Sequence, residues 1–263
     1  MSDRRPLALV TGASSGIGLE LARLHAARGG DLVVAARRID RLEALRDEVA
    51  DAHGAACEVI GIDLAEPGAP TRLYDMIRER GLELDYLINN AGFGGVGRYH
   101  ERDWAAHLSM IQVNIVALAE LTRAALPSMV ERGRGRVLNV ASVAGYVPGP
   151  LQAVYYASKS FVVSFSEALD EELKATGVTV TALCPGLTDT EFFDAANMGR
   201  AEALKFPRAS AASVARVGYD GMLKGRRVVI SGFQNWLLVH LALRFLPRRL
   251  MTRLSFEVMR KRE

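Results

Sequence analysis

Tyr155, Lys159 and Ser142 are the residues of this 263-residue chain whose types and spacing most clearly predict chemistry. Tyr155 and Lys159 stand four positions apart in the segment Tyr-Tyr-Ala-Ser-Lys, so a helix places them on one face. The ammonium group of Lys159 beside the phenol of Tyr155 is expected to lower the phenol pKa from its usual value of about 10. Tyr155 then exchanges a proton with a substrate oxygen at neutral pH, and Ser142 hydrogen-bonds the same oxygen. A Tyr-x-x-x-Lys pair is also common on ordinary helix surfaces, so the rest of the chain must decide its meaning.

A glycine-rich segment at residues 11–18 follows the first predicted strand and opens a helix. Glycine allows a tight turn and the close approach of a pyrophosphate, whose negative charge meets the free N–H groups at the helix start. The spacing is Gly-x-x-x-Gly-x-Gly, and a tight loop alone would explain it, but its position between strand and helix predicts a dinucleotide site. The residues expected to contact the cofactor here are Gly12, Ser14, Ser15, Gly16, Ile17 and Gly18.

Arg37 and Arg38 follow the second predicted strand, at the position that usually decides between NAD and NADP. A carboxylate here would bind the ribose 2′-hydroxyl, but the strand ends in two guanidinium groups, which suit a 2′-phosphate. The alternative is a solvated charge pair that starts the next helix. The sequence therefore favours NADP(H) over NAD(H).

Short apolar runs alternate with helical patterns along most of the chain. The runs occupy residues 7–10, 31–36, 56–62, 84–89, 136–141, 179–184 and 227–230. This alternation predicts an α/β fold: a Rossmann-like, doubly wound parallel sheet of about seven strands with helices on both faces. We expect one domain over residues 1–231, with 232–263 as an extension of it. Ligands bind at the carboxyl ends of such strands, and the candidate residues fall there: Gly12, Arg37, Asp63, Asn90, Ser142, Pro185 and Gly186.

Together these motifs resemble the short-chain dehydrogenase/reductase family over about residues 11–230. The matching pieces are residues 11–18, Asn89-Asn90-Ala91-Gly92, Asn114, Ser142, Tyr155 with Lys159, and Pro185-Gly186, in the family's order and at its usual spacings. The segment 183–192 also resembles the bacterial oxidoreductase branch of the family. The resemblance implies hydride transfer between a nicotinamide and a carbonyl or secondary alcohol. It also implies a homodimer or homotetramer formed through the helices that carry Asn114 and Tyr155.

The resemblance implies a role for each matched residue. Tyr155 would be the general acid in reduction and the base in oxidation, Lys159 would lower its pKa and hold the nicotinamide ribose, and Ser142 would orient the substrate carbonyl. Asn114 would hold a water that links Lys159 to solvent. Asp63 and Leu64 would contact adenine, Asn90, Ala91 and Gly92 would run along the cofactor, and Pro185, Gly186, Thr188 and Thr190 would line the nicotinamide carboxamide. The family often has an aliphatic residue where this chain has Thr188.

Three predicted loops, at 93–99, 143–151 and 190–207, should border the substrate. Their lining is apolar and partly aromatic, which favours a hydrophobic carbonyl compound, although the same residues could pack the loops onto the core. The candidate substrate contacts are Phe93, Val147, Phe192 and Phe193, with Ser142. A 3-oxoacyl thioester or lipid is the alternative substrate.

A non-catalytic regulator that binds NADP(H) on the same fold is the alternative from another class, since sites and not folds carry function. The complete set of Asn114, Ser142, Tyr155 and Lys159 favours catalysis, because cofactor binding alone does not need it.

The segment 232–263 departs from the family pattern. Residues 236–246 are strongly apolar, Pro247 is expected to break the helix, and basic residues follow. Packing within an oligomer is the favoured role. Capping of the substrate cleft and peripheral contact with an anionic membrane are the alternatives.

Bulk properties narrow the class of protein further. The net charge of +3 is too small to predict nucleic-acid binding. Cys57 and Cys184 lack metal-type spacing and the five histidines are scattered, so no metal site is expected. The N-terminal residues lack the apolar stretch of a signal peptide, and no run reaches the roughly 18 apolar residues of a membrane span. These features predict a cytoplasmic protein that acts on a small molecule.

Overall fold

The apolar runs of the sequence form one large parallel sheet. The computed structural model describes residues 4–192, 207–242 and 245–260. In chain order the strands are β1 (Leu7–Thr11), β2 (Asp31–Ala36), β3 (Cys57–Gly61), β4 (Tyr86–Asn89), β5 (Gly135–Val140), β6 (Val178–Cys184), β7 (Thr188–Asp189), β8 (Ala209–Ser210) and β9 (Val228–Ile230). Seven of them form a parallel sheet in the order β3-β2-β1-β4-β5-β6-β9, which confirms the predicted doubly wound fold. The separate pair β7-β8 has no counterpart among the predicted strands.

Helices cover both faces of the sheet because both faces are apolar. The helices are α1 (Gly16–Ala27), α2 (Ile39–His53), α3 (Ala69–Glu79), α4 (Trp104–Ile111), α5 (Leu118–Glu131), α6 (Ala153–Glu172), α7 (Ala211–Leu223), α8 (Phe233–Leu237) and α9 (Arg248–Met259). Side chains alternate along β1: Leu7 and Leu9 join the core with α3 and α5, whereas Ala8 and Val10 join the core with α1, α2 and α7. All four are buried.

The strand order reverses direction between β1 and β4. From the central β1 the chain moves outward to β2 and β3 and then returns to β4 on the other side. At such a switch point the loops after the two central strands diverge and leave a crevice at the carboxyl edge. The glycine-rich segment after β1 and the Asn90-Ala91-Gly92 turn after β4 therefore border one crevice.

The helical stretch Trp104–Glu131 joins α4 to α5 through a π-helical turn, Gln112–Ala117. Among the described residues, this stretch is long and apolar enough to cross a membrane by length and composition, so the expectation that no run would qualify is wrong by this measure. Its residues Leu121, Ala125 and Met129 pack against the sheet. Core packing therefore accounts for its apolar character.

A buried chain of amides and hydroxyls ties β4 and β5 to the helices that carry the candidate catalytic residues. Asn89 Nδ2 donates to Asn139 Oδ1 at 2.9 Å and to Thr122 Oγ1 at 3.0 Å. Asn139 Nδ2 in turn donates to Ser166 Oγ at 2.9 Å. Because buried polar groups are costly when unpaired, these contacts fix α5 and α6 in register with the strands beneath them.

The C-terminal segment forms helices on both sides of the predicted break. Helix α8 runs into a π-helical turn, Leu238–Ala242, and Pro247 directly precedes α9. Met251 and Met259 of α9 are buried, whereas the side chains of Phe233 and Phe245 remain 75% and 79% exposed. The segment therefore packs partly against the rest of the chain and partly presents apolar side chains outward.

Candidate active site

A continuous cleft of about 1260 Å³ runs along the carboxyl ends of the strands. One small ligand usually fills about 300–1,000 Å³, so this cleft has room for a dinucleotide and a substrate side by side. Nearly all of the predicted site residues that the structure describes line it. Gly18 and Asn114 lie outside its wall.

Gly12 and Gly18 let the turn after β1 pack against the turn after β4. Gly12 has a φ of +67°, and a Cβ there would lie 2.9 Å from Ala91 Cα. A Cβ at Gly18 would lie only 2.3 Å from Asn90 Nδ2. Gly18 is therefore a packing position for α1 outside the cleft wall, and its contact with the cofactor stays a prediction.

Asn90 and Thr11 hold this crossing in place. Asn90 Nδ2 donates to the carbonyl oxygens of Thr11 at 2.9 Å and Gly12 at 3.2 Å. The hydroxyl of Thr11 accepts from the backbone N–H groups of Asn90 and Ala91, each at 3.1 Å. Asn90 thus acts in this structure by shaping the loop that forms the floor of the cleft.

The start of α1 faces this floor with free backbone donors. Ser15 is the N-cap residue in an extended conformation, and its side chain makes no capping hydrogen bond. Gly16 has a φ of +57°, and a Cβ there would lie 3.0 Å from Thr190 Cγ2. The N–H groups of the first turn and the absence of bulk at Gly16 suit a pyrophosphate.

Arg38 binds the serine side chains of the glycine-rich segment. Its Nη2 donates to Ser14 Oγ at 3.1 Å and to Ser15 Oγ at 2.8 Å, and its Nε donates to Ser14 Oγ at 3.2 Å. Its Nη1 donates to Glu191 at 2.7 Å, and Glu191 also accepts from Arg41 at 2.6 Å. No local sequence pattern marks Glu191 as a site residue.

Arg37 has a different environment from Arg38. Its side chain is 76% exposed, and its Nη1 lies 3.9 Å from the carboxylate of Asp63. Asp63 Oδ1 also accepts from the backbone N–H of Ala65 at 2.9 Å, which orders the turn after β3. Leu64 is buried at the cleft wall beside it. The residues predicted to contact adenine and the 2′-phosphate therefore lie together.

The turn after β6 brings the predicted carboxamide contacts against the C-terminal segment. Thr188 is buried, and its hydroxyl donates to the carbonyl of Gly186 at 3.0 Å. A Cβ at Gly186 would lie 2.3 Å from Nδ2 of Asn235, a residue in the first turn of α8. Asn235 Nδ2 donates to Ser231 O at 2.6 Å. Asn235 lines the same cleft and is a neighbour that the sequence analysis missed.

Ser142, Tyr155 and Lys159 meet in the cleft from β5 and α6. Ser142 follows β5 and donates to the carbonyl oxygen of Pro185 at 3.5 Å. Lys159 Nζ donates to the carbonyl oxygen of Val140 at 2.7 Å and lies 5.9 Å from the centre of the Tyr155 ring. The strand end and the first turns of α6 therefore bring the three residues together, as their spacing predicts.

Asn114 is buried in the π-helical turn Gln112–Ala117, behind the catalytic residues. Its Nδ2 donates to Ser158 Oγ and to Phe93 O, both at 3.0 Å, and its Oδ1 accepts from the backbone N–H of Phe93 at 3.1 Å. The side chain thus joins the turn after β4 to α6. Its expected water link to Lys159 stays a prediction.

The pKa values of Tyr155 and Lys159 are both shifted by burial. Burial raises the pKa of the Tyr155 phenol above its ordinary value, and the Ser142 hydroxyl opposes this shift. Burial lowers the pKa of Lys159 to about 8. The expectation that the Lys159 charge lowers the Tyr155 pKa is wrong for this structure, because the ammonium group is directed at Val140 and burial of the phenol dominates.

The substrate side of the cleft is apolar. The Phe192 ring lies 5.3 Å from the Tyr155 ring, and Val147 belongs to the small apolar cluster next to them. Phe93 lines the cleft and also packs against the core, and its contact with a substrate stays a prediction. Phe193 lies outside the described residues.

Helix α9 supplies a wall of the cleft, which agrees with the cleft-capping alternative for the segment 232–263 and not with the favoured role in an oligomer alone. Its lining residues are Met251, Leu254, Ser255, Val258 and Met259. Gln152 Nε2, one turn before Tyr155, donates to Met259 Sδ at 3.1 Å, and the Ser255 hydroxyl hydrogen-bonds Tyr156. Gln152 is the N-cap residue of α6. No local sequence pattern in α9 indicates where the helix packs.

The lowered pKa of Lys159 predicts a pH-dependent stability effect of Lys159→Met. The charged lysine is destabilising below about pH 8, and this cost fades as the pH rises from about 8 towards 10.5, since the folded protein then releases the proton first. We expect Lys159→Met to gain stability relative to wild type at neutral pH. That advantage should shrink by on the order of 3 kcal/mol across this window, as measured by denaturant unfolding.

The exposed residue Lys224, changed in the same way to Met, controls for the loss of a positive charge. A stability difference between Lys159→Met and wild type that does not change with pH would contradict the burial of a charged lysine.

Comparison with known proteins agrees with this geometry. The family model described as short chain dehydrogenase matches residues 6–201. An uncharacterized oxidoreductase of Myxococcus xanthus is 39% identical over 184 residues, which cover 70% of this chain and 72% of that protein. The solved structure of a short-chain dehydrogenase from Sphingobium yanoikuyae in complex with NADPH matches with a TM-score of 0.81 at 32% identity, over 91% of each chain. A short chain dehydrogenase/reductase from Burkholderia phymatum in complex with NAD matches with a TM-score of 0.80 at 25% identity, over 93% of each chain. This chain therefore belongs to the short-chain dehydrogenase/reductase family.

Proposed function

We propose that this oxidoreductase uses NADP(H) to reduce a hydrophobic ketone, with Tyr155 as the proton donor. One observation carries the proposal: Tyr155 and Ser142 lie in the same cleft as the glycine-rich cofactor loop, directly beside the aromatic ring of Phe192. A carbonyl group held there faces a proton donor, a hydrogen-bonding hydroxyl and the cofactor groove at once.

The residues of the site suit reduction. NADP(H), when bound, supplies the hydride that is added to the carbonyl carbon. The phenol of Tyr155 is protonated at neutral pH, so it can give a proton to the carbonyl oxygen. The hydroxyl of Ser142 orients that oxygen. Lys159 lies in the same cleft and would hold the nicotinamide ribose of the bound cofactor.

The lining of the cleft supports a hydrophobic substrate. Apolar side chains come from three separate parts of the chain: Val147, Phe192, Met251, Leu254 and Val258. Two of the polar groups among them, the amide of Gln152 and the hydroxyl of Ser255, are bound to Met259 and Tyr156. A mainly apolar carbonyl compound therefore matches this wall better than a charged one.

Tyr155→Phe should lower kcat by about 10²–10⁴-fold, since the proton donor is lost while the ring and its packing stay. The assay follows NADPH oxidation against a panel of ketones, aldehydes, diketones and 3-oxoacyl thioesters. NADPH binding, measured by fluorescence titration, should be largely retained. Tyr74→Phe, which lies on α3 outside the cleft wall and removes a phenol hydroxyl near Ser128, is the matched control. Near-normal turnover of Tyr155→Phe would contradict the assignment.

We expect kcat/KM to favour NADPH over NADH by roughly ten- to a hundredfold, because a 2′-phosphate gains charge-assisted hydrogen bonds. Arg37→Gln should reduce this ratio, since Arg37 is exposed and free to turn towards a phosphate. Arg46→Gln removes an exposed arginine from the same helical region and should leave the ratio unchanged. A clear preference of the wild type for NADH would refute the cofactor proposal.

We also propose a homodimer or homotetramer formed through α4, α5 and α6. Trp104 and Leu108 of α4 are 57% and 49% exposed, and Phe161 of α6 is 37% exposed and stacks on Phe165 with ring centres 5.4 Å apart. Light scattering should give a multiple of the chain mass, and Phe161→Glu should shift it downward. Val217→Glu, on the outer side of α7, is the control. A monomeric wild type would rule out this assembly.

A further inference from the structure

We propose that Glu191 competes with the 2′-phosphate of NADP(H) for Arg38, and that Glu191 thereby tunes the preference between the phosphorylated and unphosphorylated cofactors. This inference rests on the cofactor preference proposed above. It concerns a residue outside the glycine-rich segment and outside the catalytic set.

The carboxylate of Glu191 is bound through both oxygens. Oε2 accepts from Arg38 at 2.7 Å, and Oε1 accepts from Arg41 at 2.6 Å. These two arginines, Arg41 first, hold the pKa of Glu191 at about 2, so it is an anion throughout the neutral range. An anion thus already lies where the sequence predicts the anionic group of the cofactor.

The donors of Arg38 are largely in use. A guanidinium group has five N–H groups. Among the described residues, Arg38 makes three donor contacts to Ser14 and Ser15 and one to Glu191. A phosphate that accepts two hydrogen bonds from this guanidinium group must therefore displace Glu191, because the serine contacts belong to the loop that shapes the groove.

Arg37 faces no such competition. Its side chain is 76% exposed, and its ion-pair partner Asp63 is 3.9 Å away. A 2′-phosphate can bind Arg37 at little cost in free energy, but it can bind Arg38 only by breaking the contact between Arg38 and Glu191. An unphosphorylated ribose leaves that contact intact. The cost therefore falls on NADP(H) and not on NAD(H).

The same contact reaches the substrate side of the cleft. Glu191 directly precedes Phe192, whose ring lies 5.3 Å from that of Tyr155. The contact between Glu191 and Arg38 therefore adjoins the aromatic wall of the substrate site.

The test measures binding of cofactor fragments by isothermal titration calorimetry and needs no turnover. The two probes are adenosine 2′,5′-bisphosphate and 5′-AMP, titrated into wild type, Glu191→Gln and Asp189→Asn. Glu191→Gln keeps the size of the side chain but removes the competing charge. It should bind the bisphosphate about two- to fivefold more tightly and leave 5′-AMP binding unchanged, since exposed ion pairs contribute modestly. The gain should diminish at high salt.

Asp189→Asn is the matched control, because it removes a carboxylate two positions away that pairs with Arg208 at 3.2 Å. An equal gain in this variant, or an equal gain for 5′-AMP, would reduce the effect to general charge and overturn the proposal. Unchanged or weaker bisphosphate binding by Glu191→Gln would also overturn it, and weaker binding would mean that Glu191 helps to retain the ligand. Thermal unfolding verifies that each variant is folded.

The affinities of the wild type for the bisphosphate and for 5′-AMP test the proposed cofactor preference separately. If wild type binds both probes equally while Glu191→Gln prefers the bisphosphate, the competition stands and the NADP(H) preference of the natural protein fails.

Discussion

The close crossing of two backbone turns, one after β1 and one after β4, is the constraint on which the rest of the site depends. Gly12 has no room for a side chain there, since a Cβ would lie 2.9 Å from Ala91 Cα. The hydroxyl of Thr11 and the amide of Asn90 fill the hydrogen-bonding needs of both turns. With the two turns locked together, the start of α1 is aimed at the cleft and the groove has a rigid floor.

The end of the cleft that carries Tyr155 and Lys159 is held by a second set of buried contacts, and the burial of Lys159 lowers the stability of the fold. Asn114 joins the turn after β4 to Ser158 on α6, and Lys159 is directed at the carbonyl of Val140. A lysine in such a place is an unfavourable choice for stability alone, since burial disfavours its charge. The position is readily understood as one where function, and not folding, decides the residue.

Local patterns predict this fold well because each strand carries its own signal. Apolar runs bounded by turn residues locate the seven strands of the main sheet to within about two residues, and the parallel arrangement then brings their carboxyl ends together. This rule brings Gly12 and Ser142 to one edge of the sheet, whereas the i, i+4 spacing on α6 places Tyr155 and Lys159 on one helix face. Neither prediction requires knowledge of side-chain packing.

What the sequence could not supply depends on contacts between distant parts of the chain. Glu191 binds Arg38 across 153 positions, and Met259 binds Gln152 across 107, so neither pairing leaves a periodic trace. The predicted direction of the Tyr155 pKa shift is wrong for a related reason. The i, i+4 spacing places Lys159 on the same helix face but does not determine which acceptor its ammonium group binds. Side-chain competition within a folded interior settles such questions.

The docking of α9 on the cleft has a consequence for how substrate choice can change. The catalytic residues lie on β5 and α6, whereas one wall of the substrate space comes from the last helix, which is joined to the sheet only through the segment after β9. Substitutions in α9 can reshape that wall without disturbing the hydrogen bonds that align Tyr155 and Lys159. Selectivity and reactivity are thus separable by position in the chain, so related enzymes could diversify by exchanging a terminal module while inheriting the chemistry intact.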